Sequence, residues 1–370
     1  MSEVIKVLHV VGRMDRGGTE TLLMSLLHTV DRTRYQFDIV EQTQDSCDYD
    51  QEIMSLGSKI YRAPHISLNS LSEYRRWWSD FYKEHPEYQI VHGHSRGSAP
   101  IYLDEAGKAE RITILHCHNN SHGRGIRGLI RYIWQLPLRK LAVYNFAWSF
   151  DSGISQFGKK GKFEVIKNGI RTERYVWNPE IRNRIRGEFQ LKEELVVGNV
   201  ARFEEQKNHE FLLKVFYEIQ KKCPEARLML VGQGTLEPQI HKQARELQLE
   251  KKIIFTGVRS NVNELMQAMD VFVLPSHFEG LGIVNIEAQA AGLPCFVSDK
   301  VIPTEVDLTD LMHHISLECS PKEWANQILN GRIDIADRRD MSREIIDSGF
   351  DIKSTCDKLC EFYEGVLNHE

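Results

Sequence analysis

Short apolar runs alternate with longer segments whose apolar residues recur every three or four positions, from one end of the chain to the other. Short apolar runs suit buried strands, and the longer period suits helices lying on them. In the first half the pattern predicts strands over Val4–Val11, Phe37–Glu41, Lys59–Tyr61, Gln89–Gly93, Arg111–His116, Phe146–Ser149 and Glu164–Ile166. Helices are expected over Thr19–Thr29, Ser70–Lys83 and Arg127–Leu141. Arg171–Glu194 is polar, contains Pro179, and reads as a linker followed by a surface helix. The alternation then restarts, with strands at Leu195–Val200, Arg227–Val231, Lys252–Thr256, Val271–Leu274 and Pro294–Ser298. Helices would fall at Asn208–Lys222, Glu237–Gln248, Val262–Ala268 and Ile283–Ala291. Strands separated by helices imply parallel sheets covered on both faces. The expected fold is α/β: two Rossmann-like domains with a cleft between them, and a closing helix over Lys353–Leu367 that needs a surface to pack on.

The length of 370 residues accommodates two domains of ordinary size, and 41% hydrophobic with 27% charged residues is a globular composition. No apolar run approaches the roughly 18–20 residues that span a bilayer. The opening Met-Ser-Glu-Val-Ile-Lys leads straight into a strand rather than a secretory signal. Seven cysteines without metal-ligand spacing read as reduced thiols in a cytoplasm. The net charge of −5 hides an asymmetry: residues 111–150 contain no Asp or Glu but include Arg111, Arg124, Arg127, Arg131, Arg139 and Lys140. Within Gly125–Tyr144, a basic helix would kink or end near Pro137. Arg124, Arg127 and Arg131 fall near one face, and Ile126, Leu129, Ile130, Ile133 and Trp134 fill much of the rest. Two readings stand: an apolar side facing the core, or peripheral docking on the anionic inner face of the plasma membrane.

The densest chemistry lies between Pro275 and Pro294. Glu279 and Glu287 stand eight residues apart, with Gly280 and Gly282 between them and the apolar run Val271–Leu274 just before. The glycines argue against one continuous helix. Strand, glycine loop and helix would instead place both carboxylates near a helix N-terminus, at the strand ends where open α/β sheets bind ligands. Arg202 and Lys207 follow the second half's first strand, and both can reach one anion. Gly17-Gly18-Thr19 after the first strand forms a turn leading to a helix cap, whose backbone N–H groups can hold a phosphate. Gly232-x-Gly234 starts like a dinucleotide fingerprint, but Glu237 replaces the third glycine and argues against nicotinamide or flavin. His92-Gly-His94 and His116-Cys-His118 each put two histidines on one face of a strand end. With no carboxylate nearby in sequence, they read as hydrogen-bonding or charge-stabilising groups rather than as a metal site.

Together these residues resemble glycosyltransferase family 4, retaining enzymes of the GT-B fold. The resemblance rests on Gly17-Gly18, His118, Asn168-Gly-Ile170, Arg202, Lys207, Gly232-x-Gly234, Gly257-x-Arg259, and Glu279-x7-Glu287 continuing into Ala288-x-Ala290-x-Gly292-x-Pro294. These motifs span nearly the whole chain in family order, and most resemble enzymes of bacterial capsular and exopolysaccharide assembly. The chain departs from the family at Cys117, where Thr or Ser is common, at Leu281, where Phe is frequent, and over Tyr144–Ser155, which matches the sixth-strand region poorly.

The resemblance implies an acceptor domain over 1–175, joined by 350–370 crossing back, and a donor domain over 176–349. Arg202 and Lys207 would neutralise the donor diphosphate. Glu287 would hold the ribose hydroxyls, while Glu279 and the backbone of Gly280, Leu281, Gly282, Ile283 and Val284 would position the sugar. His118 would help stabilise the transition state, and Gly17 and Gly18 would let the first loop approach the phosphates. Gly232 would belong to a turn near the nucleotide, and Gly257 and Val258 would begin the loop that meets the base. The implied donor is a nucleotide sugar, with UDP as the expected nucleotide. The acceptor would be a saccharide or lipid-linked saccharide, with no bound cofactor, metal or nucleic acid. A hydrolase using Glu279 and Glu287 as paired carboxylates, and a non-catalytic sugar-nucleotide-binding partner of another transferase, are the competing readings.

Overall fold

The computed structural model describes residues 4–67, 70–118, 130 and 133–368. It divides into two compact units, Met1–Gly169 with Asp351–Glu370, and Ile170–Phe350. The first unit carries β1 (Ile5–Val11), β2 (Tyr35–Glu41), β3 (Ile60–Arg62), β4 (Ile90–Gly93), β5 (Ile112–Cys117), β6 (Tyr144–Ala147) and β7 (Glu164–Val165). They form one sheet in the order β3-β2-β1-β4-β5-β6-β7, and every neighbouring pair is parallel. The second unit carries β8 (Val196–Val200), β9 (Arg227–Val231), β10 (Ile253–Gly257), β11 (Val271–Leu274), β12 (Cys295–Ser298) and β13 (Met312–Ile315). Their order is β10-β9-β8-β11-β12-β13, again parallel throughout. In each sheet the first strand sits inside and the chain winds outward both ways, which opens a crevice at the carboxyl ends of the inner strands.

Both sheets are covered on two faces, so their inner strands are apolar without alternation. Val7 and Ile39 face one core of the first unit, Leu8 and Val40 the other. The closing helix, Ile352–Asn368, belongs to this unit. It buries Ile352, Cys356, Leu359 and Tyr363, a helical stripe, against the cluster that holds Val7, Phe37 and Phe146. Lys358 pairs with Glu164 at 2.8 Å, and the Thr355 hydroxyl donates to the Lys167 carbonyl at 3.0 Å.

Several elements differ from the sequence pattern. Helices at Asp50–Ser55, Ala99–Lys108, Phe150–Phe157, Pro321–Asn330 and Ser342–Asp347, and the edge strand β13, were not expected. Ala99–Lys108 buries seven of its residues, so its apolar side has no polar counterpart to reveal a period. The predicted helix over Arg127–Leu141 is broken by Pro137, after which a short helix runs Leu138–Leu141. The Tyr144–Ser155 stretch forms β6 and then a helix capped by the Ser149 hydroxyl. The polar helix Pro179–Glu188 is more than a surface element. Arg186 is buried, and Arg182 and Arg186 donate to carbonyls at residues 267–269 while pairing with Asp270. These two arginines cap a neighbouring helix end, while Glu180, Arg184 and Glu188 stay exposed.

Candidate functional site

In the second unit, β8 ends at Val200 and the chain turns through Arg202 to a 3-10 turn, Glu205–Lys207. β11 ends at Leu274 and enters the loop that carries Glu279. The two loops are tied by backbone and side-chain bonds: His277 N–H to Gln206 O, and Gln206 Nε2 to Phe278 O, each 2.8 Å. This brings Lys207 Nζ to 2.6 Å from Glu279 Oε1, with the two side chains only 15% and 5% exposed. The Ser276 hydroxyl donates to the same carboxylate oxygen at 2.6 Å. Arg202 is exposed and makes no ion pair among the described residues. The expected pair of phosphate-facing cations thus has an internal order: one is held by a carboxylate, the other is open.

Helix Ile283–Ala290 starts at Gly282, whose φ of 67° lies in the left-handed region. A Cβ there would also come within 2.8 Å of Asn285 Nδ2. No side chain caps this helix, so its first-turn N–H groups have no capping acceptor and suit an anion. Glu287 lies within the helix, is buried, and accepts from the Tyr175 hydroxyl at 2.7 Å. Burial pushes its carboxyl up to about 7, against the pull of Tyr175 and Arg174. Tyr175 and Ser276 were not expected at the site. Tyr175 is 112 residues from its partner and gave no local signal.

Gly232 and Gly234 have a packing reason. Cβ atoms there would meet the Ala201 and Phe203 carbonyl oxygens at 2.2 and 2.4 Å, because the β9 loop lies directly on the Arg202 loop. Gly257 continues β10, accepts from Gly232 N–H at 2.9 Å, and leads to the half-exposed Val258. Arg259 bonds Glu188 and Asn261.

In the first unit, helix Gly18–Thr29 begins one residue before expectation. Gly17 is its cap, and Thr19 sits in the first turn instead of capping it. A pocket of about 330 Å³ opens there, lined by Gly12, Thr19, Arg96, His94 and His118 among others. His118 Nε2 lies 2.9 Å from His94 Nδ1, His94 Nε2 lies 3.0 Å from His9 Nδ1, and the Asn168 amide reaches His118 Nδ1 at 3.4 Å. Burial lowers His9 and His118 to about 3 and holds His92, His94 and His116 well below the usual imidazole range, so all five are neutral. The sequence pattern paired His92 with His94 and His116 with His118, but gave no reason to add His9. The register that sets His9 beside His92 is a property of the sheet.

Asp48 and Asp50, the two carboxylates of an Asp-x-Asp sequence, serve local structure. Asp50 accepts from Cys47 N–H and pairs with Arg62, and Asp48 accepts from Arg16 N–H. Arg124, Arg127 and Arg131 lie outside the described residues. Nearby, Ile130, Ile133 and Leu136 are exposed while Gln135 is buried, so these apolar groups do not face the core.

A family model described as Glycosyl transferases group 1 matches residues 181–328. EpsF of Bacillus subtilis (strain 168), which bears the name of a glycosyltransferase, is 32% identical over 371 residues, covering 97% of this chain and 96% of its own. CapH of Staphylococcus aureus, named as a capsular polysaccharide biosynthesis glycosyltransferase, is 27% identical over 97% of this chain and 99% of its own. Among solved structures, Anabaena HepE in complex with UDP and glucose superposes with a TM-score of 0.80 at 19% identity, covering 97% and 99% of the two chains. The chain belongs to the group 1 glycosyltransferases. Its pair of parallel sheets is the GT-B fold of those enzymes, and membership in a transferase family decides against the hydrolase reading.

Proposed function

We propose that this transferase moves a hexose or N-acetylhexosamine from a UDP-sugar to a saccharide or lipid-linked acceptor in cell-surface polysaccharide synthesis, with retention of anomeric configuration. The observation that carries this reading is the joined Arg202, Lys207 and Glu279 loops beside an uncapped helix start. Departure of a nucleoside diphosphate puts positive charge on the sugar and negative charge on the leaving group. Fixed cations and helix N–H groups stabilise the second, and the Glu279 carboxylate suits the sugar. Arg202 and Lys207 meet the diphosphate charge in place of a divalent cation. Glu287, already placed as an acceptor for Tyr175, takes the ribose hydroxyls. His118 is a neutral hydrogen-bonding group for the sugar. Among the described residues of the site no side chain has the geometry of an activated nucleophile, so attack on the face the diphosphate leaves, with a phosphate oxygen taking the acceptor's proton, is the simpler route to retention. The names of EpsF and CapH support the glycosyltransferase and polysaccharide assignments, and UDP in the HepE complexes supports the donor. The test is donor-dependent UDP release with a panel of UDP-sugars and lipid-linked acceptors. Release with none of them, alongside release from another nucleotide sugar, would overturn the donor.

The exposed Ile130, Ile133 and Leu136, next to a run rich in arginine and free of acids, support peripheral docking at an anionic cytoplasmic membrane face. Among the described residues no helix is long and apolar enough to cross a membrane. Neutralising Arg124, Arg127 and Arg131 together should lower pelleting with anionic vesicles by about tenfold or more, at about 1 kcal/mol per residue near the surface. Unchanged pelleting would remove this segment from the account.

A further inference from the structure

Five imidazoles stack at the carboxyl ends of β1, β4 and β5. Ring centroids are 5.2 Å apart for His9–His92, 4.4 Å for His92–His94 and 4.2 Å for His116–His118. A neutral imidazole has one N–H donor and one lone pair to satisfy. His9 Nε2 and His92 Nε2 are buried without a hydrogen-bond partner. Buried polar groups are nearly always paired, so the two orphaned nitrogens of His9 and His92 call for an occupant that accepts a lone pair.

The surroundings prepare His92 as such a ligand. Its Nδ1 lies 2.6 Å from the Tyr363 hydroxyl, contributed by the closing helix. With Nδ1–H donated to that oxygen, Nε2 carries the lone pair, the arrangement by which outer hydrogen bonds orient metal-bound histidines. His9, His92 and His94 each offer a nitrogen within 4.8 Å of the others, and His9 Nδ1 lies 3.0 Å from His94 Nε2. Two nitrogens bound at about 2.0–2.1 Å to one tetrahedral ion lie roughly 3.3 Å apart, so modest ring rotation closes the set.

We propose that His9, His92 and His94 bind one divalent transition-metal ion of the zinc class, distinct from any ion on the donor diphosphate. A nitrogen-only set favours zinc, cobalt, nickel or copper, and disfavours magnesium, calcium and manganese, which want oxygen. The ion ties the ends of β1 and β4, and its ligand His94 reaches the pocket wall, where its Nδ1 lies 2.9 Å from His118 Nε2. An ordered water is the competing occupant, because it too can satisfy several imidazoles.

The test uses the full chain without a polyhistidine tag, stripped with a chelator and titrated with Co²⁺ alone. The expected result is one equivalent taken up with a visible ligand-field spectrum and micromolar or tighter affinity, displaced by Zn²⁺ and unaffected by Mg²⁺. Zn²⁺ should also raise the melting temperature of the stripped chain by mass action. Tyr363→Phe keeps the buried ring, and should weaken uptake by about tenfold or more as an outer-sphere change. His92→Ala should weaken it further. Absence of a stoichiometric spectrum, or uptake of equal strength in a folded His92→Ala, would overturn the proposal and leave water as the occupant. If His92→Ala does not fold, unchanged uptake in Tyr363→Phe together with no Zn²⁺ melting shift in the unaltered chain would do the same.

Discussion

In the first unit the pocket wall includes His94 and His118, imidazoles that burial holds neutral, beside the charged Arg96 and Glu20. In the second, Lys207 and Glu279 meet at 2.6 Å as full charges, and Arg202 stands exposed five residues upstream. The two halves share a strand plan yet carry different electrostatics at the same ends of their sheets. On the function proposed above, the difference follows from what each half would stabilise. A leaving diphosphate carries several negative charges, which fixed cations meet strongly in a partly buried site. A sugar or acceptor hydroxyl is neutral and is oriented by neutral donors and acceptors at less cost in desolvation.

The largest effect should come from the charged half. Arg202→Ala, Lys207→Ala and Glu279→Ala should each lower turnover by about 10²-fold or more, measured as nucleotide release at saturating donor. Near-normal turnover in all three would break the assignment of charge work to this half. Next, the Lys207–Glu279 pair is almost covered, so Glu279→Ala should destabilise the protein by about 3 kcal/mol in urea denaturation, by leaving the ammonium without its partner. Lys207→Met combined with Glu279→Leu should recover most of that loss. Additive losses would mean that the two side chains do not act as a pair.

Glu287 gives a pH test of smaller size. The groups facing it are the Tyr175 hydroxyl and Arg174, and burial outweighs both to raise its carboxyl from 4.5 to about 7. Between those values the folded state binds more protons than the unfolded one, so stability falls as pH rises through this window and the full loss is present above it. With Glu287 as the ribose acceptor proposed above, the donor nucleotide would need the ionised form, so its affinity should rise about tenfold from pH 6 to pH 8. Glu287→Gln should flatten both trends. A pH-independent affinity in the unaltered chain would place the ribose elsewhere.

The strands were largely legible in the sequence because parallel strands covered on both faces are short apolar runs, as at Val271–Leu274. The two-fold restart of the pattern was visible for the same reason. The missed elements lack a clean period. β13 is Met-His-His-Ile at a sheet edge, and Ala99–Lys108 buries seven of its ten residues. Pro321–Asn330 carries a local signal in the sequence, the capping box of Ser320 and Glu323 with Pro321 between them. At the site, Glu279, Glu287, Arg202 and Lys207 stood out by residue type and spacing. Tyr175 and His9 did not, since their roles come from pairings made only by the folded chain: Tyr175 with Glu287 and His9 with His94.

Calorimetric titration of UDP tests the division of labour most directly, because UDP carries the diphosphate and ribose but no sugar. The account predicts that Arg202→Ala and Lys207→Ala weaken UDP binding by about tenfold or more, while His118→Ala leaves it within about twofold. UDP binding weakened as much by His118→Ala as by Arg202→Ala would contradict it.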